Sequence, residues 1–298
     1  MYRTFVILRH TFVEAIVQPI YWLLLGLGFV ILSIFGLLPF FTLGEDTIMY
    51  KTVALDVVLL LVLIMTLFAT SKSIYDEIED RTMLTLMSKP VRKWEVLVGK
   101  YLGIILAALM AAAILGAVLI FWTWYRIPTD YQLKTFTLDD NELRKIHDLQ
   151  MMHTAGLLPC LVLLWLQISV LAAIGVALST RFSLVVNLPT VILLYIAGNL
   201  TRFLFPIAAG ASWIHKISAH LASWLLPYLA TFDLKGPALY HDVALAGTSF
   251  ADNPNAVHLS AIWGYIALAA GYGIAYITFA LSAGMWLFER RELGGSEG

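Results

Sequence analysis

Apolar residues in this chain come in six long blocks, at about 19–42, 53–71, 101–124, 156–179, 184–205 and 260–288, parted by more polar stretches. Each block has roughly 20 or more residues, enough as a helix to cross a hydrocarbon layer about 30 Å thick. The last is long enough to need tilt. An open sheet in lipid would leave its edge amides unsatisfied, so the pattern predicts an all-α integral membrane protein of six spans, forming a single transmembrane domain over 1–298. Tyr21, Trp22, Trp122, Trp124, Tyr125, Trp263 and Trp286 fall near block ends, where amphipathic rings sit at headgroup level.

The polar stretches differ among themselves. Segments 1–18, 72–100, 180–186 and 289–298 carry Lys and Arg about twice as densely as the alternate set, which by the positive-inside rule places both termini in the cytosol of a multi-pass protein of the cytoplasmic membrane. In 1–18, Phe5, Leu8, Phe12 and Ile16 lie near one helical face with Arg9 off it, and Pro19 opens the first span. That spacing predicts an amphipathic helix lying in the interface. The segment lacks a small-residue cleavage site and is expected to stay with the chain. Of the two large external segments, 125–154 is predicted to turn at Pro128–Asp130 and then form a short helix from Asp139 or Asp140 to about His153. In 206–258, Ile214, Ile217, Leu221, Trp224 and Leu225 predict an interfacial or re-entrant helix ended by Pro227.

Composition supports the membrane reading and narrows the chemistry. Apolar residues make up 60% of the chain and charged residues 13%, against about a quarter charged in soluble domains. A net charge of −1 gives no bulk attraction for nucleic acid. The single cysteine, Cys160, excludes an internal disulfide and reads as a small buried hydrophobe. His147 and His153, and His215 and His220, are spaced wrongly to share a helix face, so no metal site is expected. No nucleophile-elbow motif appears.

Inside the blocks, Asp56, Gln167, Asn187 and Asn199 would cost free energy in lipid, so each is expected to face protein or a cavity. Asp56 lies near a span end, where headgroup exposure suffices. Gln167, near the middle of its span, is the candidate pathway-lining residue. Gly99 with Gly103, Ala267 with Gly271 and Ala269 with Gly273 are small-residue pairs that permit close helix approach. Few ionisable groups fall mid-span, which disfavours a secondary transporter or channel.

The densest charge joins the second and third blocks: Asp76-Glu77-Ile78-Glu79-Asp80-Arg81, then Thr82 to Ser88, then Lys89-Pro90-Val91-Arg92-Lys93-Trp94-Glu95. A helix from about Tyr75 to Met87 would hold carboxylates at its positive end, with Pro90 breaking the run. By spacing alone this is a helix across the membrane face or a solvated loop that sets topology. The whole string from Glu77 to Gly103 resembles the signature segment of type-2 ABC exporter permeases. It has an acidic E-x-E, a Thr-Leu stretch, Ser88-Lys89-Pro90-Val91-Arg92-Lys93, and Val98-Gly99-Lys100-Tyr101-Leu102-Gly103 opening the third span. Thr11 to Ile16 is similar to that family's N-terminal helix and Phe288 to Leu293 to its usual ending. Arg81 departs from the Gly often found before the Thr.

The resemblance implies six spans, a homodimer or a pairing with a similar permease, export driven by ATP, and a coupling helix within 74–95 that seats on a separate ATPase subunit. Glu77, Glu79, Asp80 and Arg81 would be coupling contacts, with Lys89, Arg92 and Lys93 framing them or meeting lipid phosphates. The chain has no P-loop of its own, since Gly99-Lys100 is followed by Tyr101 and lacks the upstream glycine. It is therefore expected to be a transport subunit and not an enzyme, binding no cofactor, with ATP and Mg on the partner. The alternatives are a secondary transporter or channel, an intramembrane enzyme, and a membrane scaffold.

Overall fold

A computed structural model describes residues 2–38, 46–79, 92–132, 140–204, 226–235, 243–245, 248 and 257–289. Seven long helices dominate these residues: α1 (Tyr2–Val17), α2 (Pro19–Leu37), α3 (Asp46–Ser71), α4 (Lys93–Gln132), α5 (Asp140–Ser179), α6 (Leu184–Leu204) and α7 (Leu259–Glu289). A π-helical turn, Lys72–Asp76, and a short continuation, Glu77–Glu79, extend α3. A 3₁₀ turn (Leu229–Phe232) and two strands of two residues each, β1 (Val243–Ala244) and β2 (Val257–His258), paired in parallel, fill part of the stretch between α6 and α7.

Five helical stretches are long and apolar enough to span a bilayer: Pro19–Leu37, Asp46–Tyr75, Lys93–Asp130, Leu143–Ser179 and Leu259–Glu289. The apolar stretch of α6, Leu184–Leu200, is shorter. Helices α3, α4 and α5 form the centre, each packed on the other two, with α2 set against α3 and α4, α6 against α3 and α5, and α7 mainly against α5. The inner helices are buried on most sides, whereas α7 leaves Leu268, Ile274 and Phe279 exposed and α2 leaves Leu23, Phe29 and Val30 exposed. In a bilayer such faces meet lipid tails or another helix.

Several boundaries differ from the expected ones. Helix α3 starts at Asp46, so Lys51 is no loop residue; it is 1% exposed inside a helix. The predicted external helix ending near His153 is one with the fourth span, because α5 runs unbroken through Gly156 and past Pro159. Likewise α4 continues beyond Pro128. The predicted helix ended by Pro227 lies outside the described residues up to 225.

Small residues let the helices close on one another. A Cβ on Gly99 would come within 2.9 Å of Ile7 Cγ2, and on Gly103 within 2.7 Å of the Leu8 carbonyl oxygen. The Gly99/Gly103 pair therefore seats α1 on α4. Gly284 meets the Ala177 backbone in the same way, while Gly271 faces open space. Buried Thr11 and Ala15 lie on the packed side of α1, and Phe5, Val6 and Val13 are exposed. An interfacial helix clamped to a span on one face and apolar on part of the other fits a headgroup-level position.

Polar side chains then tie spans to one another. The Tyr21 hydroxyl donates to the Ala107 carbonyl (3.2 Å), that of Tyr101 to Ser169 (3.1 Å), and the Trp165 indole N–H to Ile105 (3.3 Å). At the α2–α3 end, Arg126 donates to the carbonyls of Phe35 (3.1 Å) and Leu38 (3.0 Å), pairs with Asp46 (3.7 Å) and Asp130 (3.5 Å), and lies over the Tyr50 ring. A cation there satisfies carbonyls that a helix C-terminus leaves without partners. Thr47 adds a hydrogen bond to Asp130.

Candidate functional site

Two polar clusters stand out against this apolar frame, one at the C-terminal end of α3 and one beside its middle turns. The first forms where α3 gives way to its π-helical turn. Lys100 enters the bundle from the first turns of α4 and is 3% exposed. Its Nζ stands 2.6 Å from the Glu77 carboxylate and 3.2 Å from Ser73 Oγ, and donates also to the Ser73 carbonyl. Helix α4 starts at this place for a local reason: Arg92 accepts the first backbone hydrogen bonds of the helix, and Glu95, three residues on, returns its carboxylate to the Arg92 N–H at 3.0 Å.

Glu14 of α1 completes the cluster. One of its oxygens is buried without a hydrogen-bond partner, and burial raises its pKa above the ordinary carboxylate value, with Lys100 working in the opposite direction. On the far side, Asn187 of α6, fully buried, donates to Ser71 Oγ (3.0 Å) and to the Gly175 carbonyl (3.1 Å). The end of α3 is thus held by α1, α4, α5 and α6 together. A π-helical turn widens the backbone by one residue and weakens the regular ladder, and such turns collect at functional sites.

Of the residues expected in the coupling segment, Glu77 points at Lys100, Glu79 is exposed, and Arg92 caps α4. Asp80, Arg81 and Lys89 lie outside the described residues. Lys93 sits 5.3 Å from the centre of the Phe288 ring, joining the start of α4 to the end of α7. Sequence reasoning missed Lys100 as a site residue. The signal lies in Gly99-Lys100 at the opening of the third span, where a lysine among apolar residues needs an anionic partner.

The second cluster is a cavity of about 140 Å³ between α3, α5 and α6, covered in part by residues 232–235. Gln167, expected to line a pathway, lies in its wall and is 4% exposed. Tyr195, Asn199 and Cys160 line it too, and the Asn199 amide donates to the Tyr195 carbonyl at 2.9 Å. Asp56, also in the wall, pairs with Lys235. The covering segment reaches this depth because α6 has glycine at 198: a Cβ there would stand 2.7 Å from the Pro227 carbonyl oxygen. Tyr272 holds the same segment by accepting the Tyr228 N–H at 2.8 Å, and Tyr265 donates to the Thr231 carbonyl at 2.7 Å. Nearby, Lys51 Nζ is 2.9 Å from His153 Nδ1.

A bundle of long apolar helices, with polar side chains turned inward to one another or to a cavity, defines a multi-pass membrane protein. The sequence profile of the family described as ABC-2 family transporter protein matches residues 43–293. The chain belongs to that family, whose members are membrane transport components and not enzymes in themselves, and pair with an ABC ATPase subunit. No curated protein matches the sequence.

Proposed function

We propose that this protein is the membrane-spanning permease of an ABC exporter, working as a homodimer or with a similar permease in the cytoplasmic membrane, both termini cytosolic. ATP and Mg are bound by a separate subunit. Export, and with it ATP use, follows from the resemblance of Glu77 to Gly103 to the exporter signature. The segment 74–95 acts as the coupling helix, with Glu79, Asp80, Arg81, Lys89 and Arg92 at the contact with the ATPase.

The observation that carries this reading is the Glu77–Lys100 pair at the root of that segment. A push on the segment would be felt first by Glu77, and through Lys100 by α4 and by α1 packed against it. Glu77 then acts as the joint between the segment and the spans. Gln167 lines the route that opens in response.

The test is affinity purification of the full-length chain in mild detergent, with mass spectrometry and an ATPase assay. The expected result is a stoichiometric P-loop ATPase that is retained by Lys100→Met but lost on joint charge reversal of Glu79, Arg81 and Arg92. Recovery of the chain alone in several detergents would overturn the reading and favour a channel or scaffold.

A further inference from the structure

The cavity beside Gln167 carries charges of both signs. Three charged groups line it: Asp56, Asp233 and Lys235, and of these Asp56 and Lys235 are paired with each other. Asp56 and Asp233 act on the Tyr195 hydroxyl, and Lys51, Lys235 and Asp233 on the Cys160 thiol. Over these four groups the charges cancel.

One of its neutral polar groups is unspent, while the Asn199 amide is bonded to the Tyr195 carbonyl. Among the described residues the Gln167 side-chain amide, nine-tenths and more buried, makes no hydrogen bond to protein, although it lies in the cavity wall. A primary amide offers two donors and two acceptor positions, and leaving it unmade in an apolar bundle is costly. The Lys235 backbone N–H donates to Asp233 Oδ1 at 3.2 Å, while the Lys235 ammonium pairs with Asp56. Leu55, Leu59, Leu164, Phe232 and Leu234 form the apolar remainder of the wall, with Cys160.

We propose that this cavity binds a small zwitterion, its ammonium toward Asp56, Asp233 and Tyr195 and its anionic group toward Lys235, with the Gln167 amide bonded between them. A ligand of one charge would take one member of the half-exposed Asp56–Lys235 pair and leave the other without its partner, whereas a zwitterion replaces both partners at once. Drug-sized pockets run from about 300 Å³ upward, so this one takes an amino-acid-sized molecule or a single head group and not a bulky amphiphile. The chemistry is shared by free amino acid-like solutes and by the phosphoethanolamine head of a lipid. The proposal deepens the permease reading by naming a substrate class for the Gln167 site, yet binding to the chain alone can be read without any ATPase, so the two can fail separately.

Cys160 is the sole cysteine and lies in the cavity wall, which makes the unaltered protein its own reporter. The experiment measures the rate at which neutral methyl methanethiosulfonate modifies Cys160 in the full-length chain in maltoside detergent. Glycerophosphoethanolamine is added as the zwitterion, with ethylammonium and dimethyl phosphate as its separate halves. Saturating zwitterion is expected to slow modification about tenfold, with each half needing about tenfold higher concentration for the same protection. Lys235→Met and Asp56→Asn should each abolish the advantage of the zwitterion over its halves, and Gln167→Leu should weaken it in a protein that still elutes as a single species. In nanodiscs, protection by phosphatidylethanolamine and not by phosphatidylglycerol, with free glycerophosphoethanolamine inert, assigns the site to a lipid head group. The reverse assigns it to a free solute. Equal protection by the halves, no protection by any of these, or a Cys160 that no reagent reaches would each overturn the proposal.

Discussion

The ammonium of Lys100 stands 2.6 Å from the carboxylate of Glu77, bridging from the start of α4 to the last turn of the α3 extension. Lys100 is nearly inaccessible, while about a quarter of the Glu77 side chain meets solvent. Removing one partner of a fully buried pair costs about 3–5 kcal/mol, and the partial exposure of Glu77 reduces this. Lys100→Met is therefore expected to cost about 1–3 kcal/mol. A double-mutant cycle with Glu77→Gln, followed by thermal unfolding in detergent, should return a coupling above about 0.5 kcal/mol. Additive effects would show that the pair contributes nothing as a pair.

Glu14 gives a prediction in pH. Burial holds its folded pKa above the unfolded value, so the folded chain binds the proton more tightly. Stability then falls as pH rises from the unfolded pKa through the folded one, since the native state binds more protons over that window. Glu14→Gln should flatten this fall, gaining more relative to the parent at pH 8 than at pH 4. A parallel shift of the two melting curves at all pH values would refute the assignment.

Substitution of glycine tests how α1 is held. Gly103→Leu drives a side chain into the α1 backbone, which cannot give way as a flexible side chain would, and is expected to lift α1 from α4. Faster protease cleavage near Arg9 would report it. Gly271→Leu enters open space within the protomer and should leave the fold of the chain intact, so its cleavage pattern serves as the reference.

How far the sequence reveals all this depends on the kind of force involved. Asn187 and Gln167 were legible because an amide in a span has few options: the first finds Ser71 and Gly175, the second a cavity wall. The inward turn of Lys51 was not legible, because a lysine next to a polar stretch reads as loop until its helix is seen to begin at Asp46. Gly99 and Gly103 signalled close approach, but spacing does not name the neighbour, which is α1. The joining of a predicted outer helix to the fourth span was not legible, because Gly156 and Pro159 are residues that usually punctuate a helix and here lie inside α5.

Arg126 closes the other end of α3. Arg126→Met removes the donor to Phe35 and Leu38 and the partner of Asp46, and is expected to cost about 2–4 kcal/mol, since charged hydrogen bonds are lost and carboxylates are left facing apolar surface. Thermal unfolding checks the magnitude. A Lys at this position would recover little of it, because one ammonium does not reach two carbonyls and two carboxylates in the geometry of a guanidinium.

Helices α4 and α5 each have 40 residues, about 60 Å of unbroken rod, twice the thickness of a hydrocarbon layer. Such a rod converts angle into distance. If it pivots by about 5° at one end, its other end is carried about 5 Å, a full helical turn, with no bond inside it changed. The Gln150 amide, bonded to the Trp124 carbonyl at 3.0 Å, pins the two rods to each other well away from Lys100. A tilt too small to break the packing around Lys100 would therefore be felt at the far end chiefly by Arg126 and its ties to Phe35, Leu38 and Asp46.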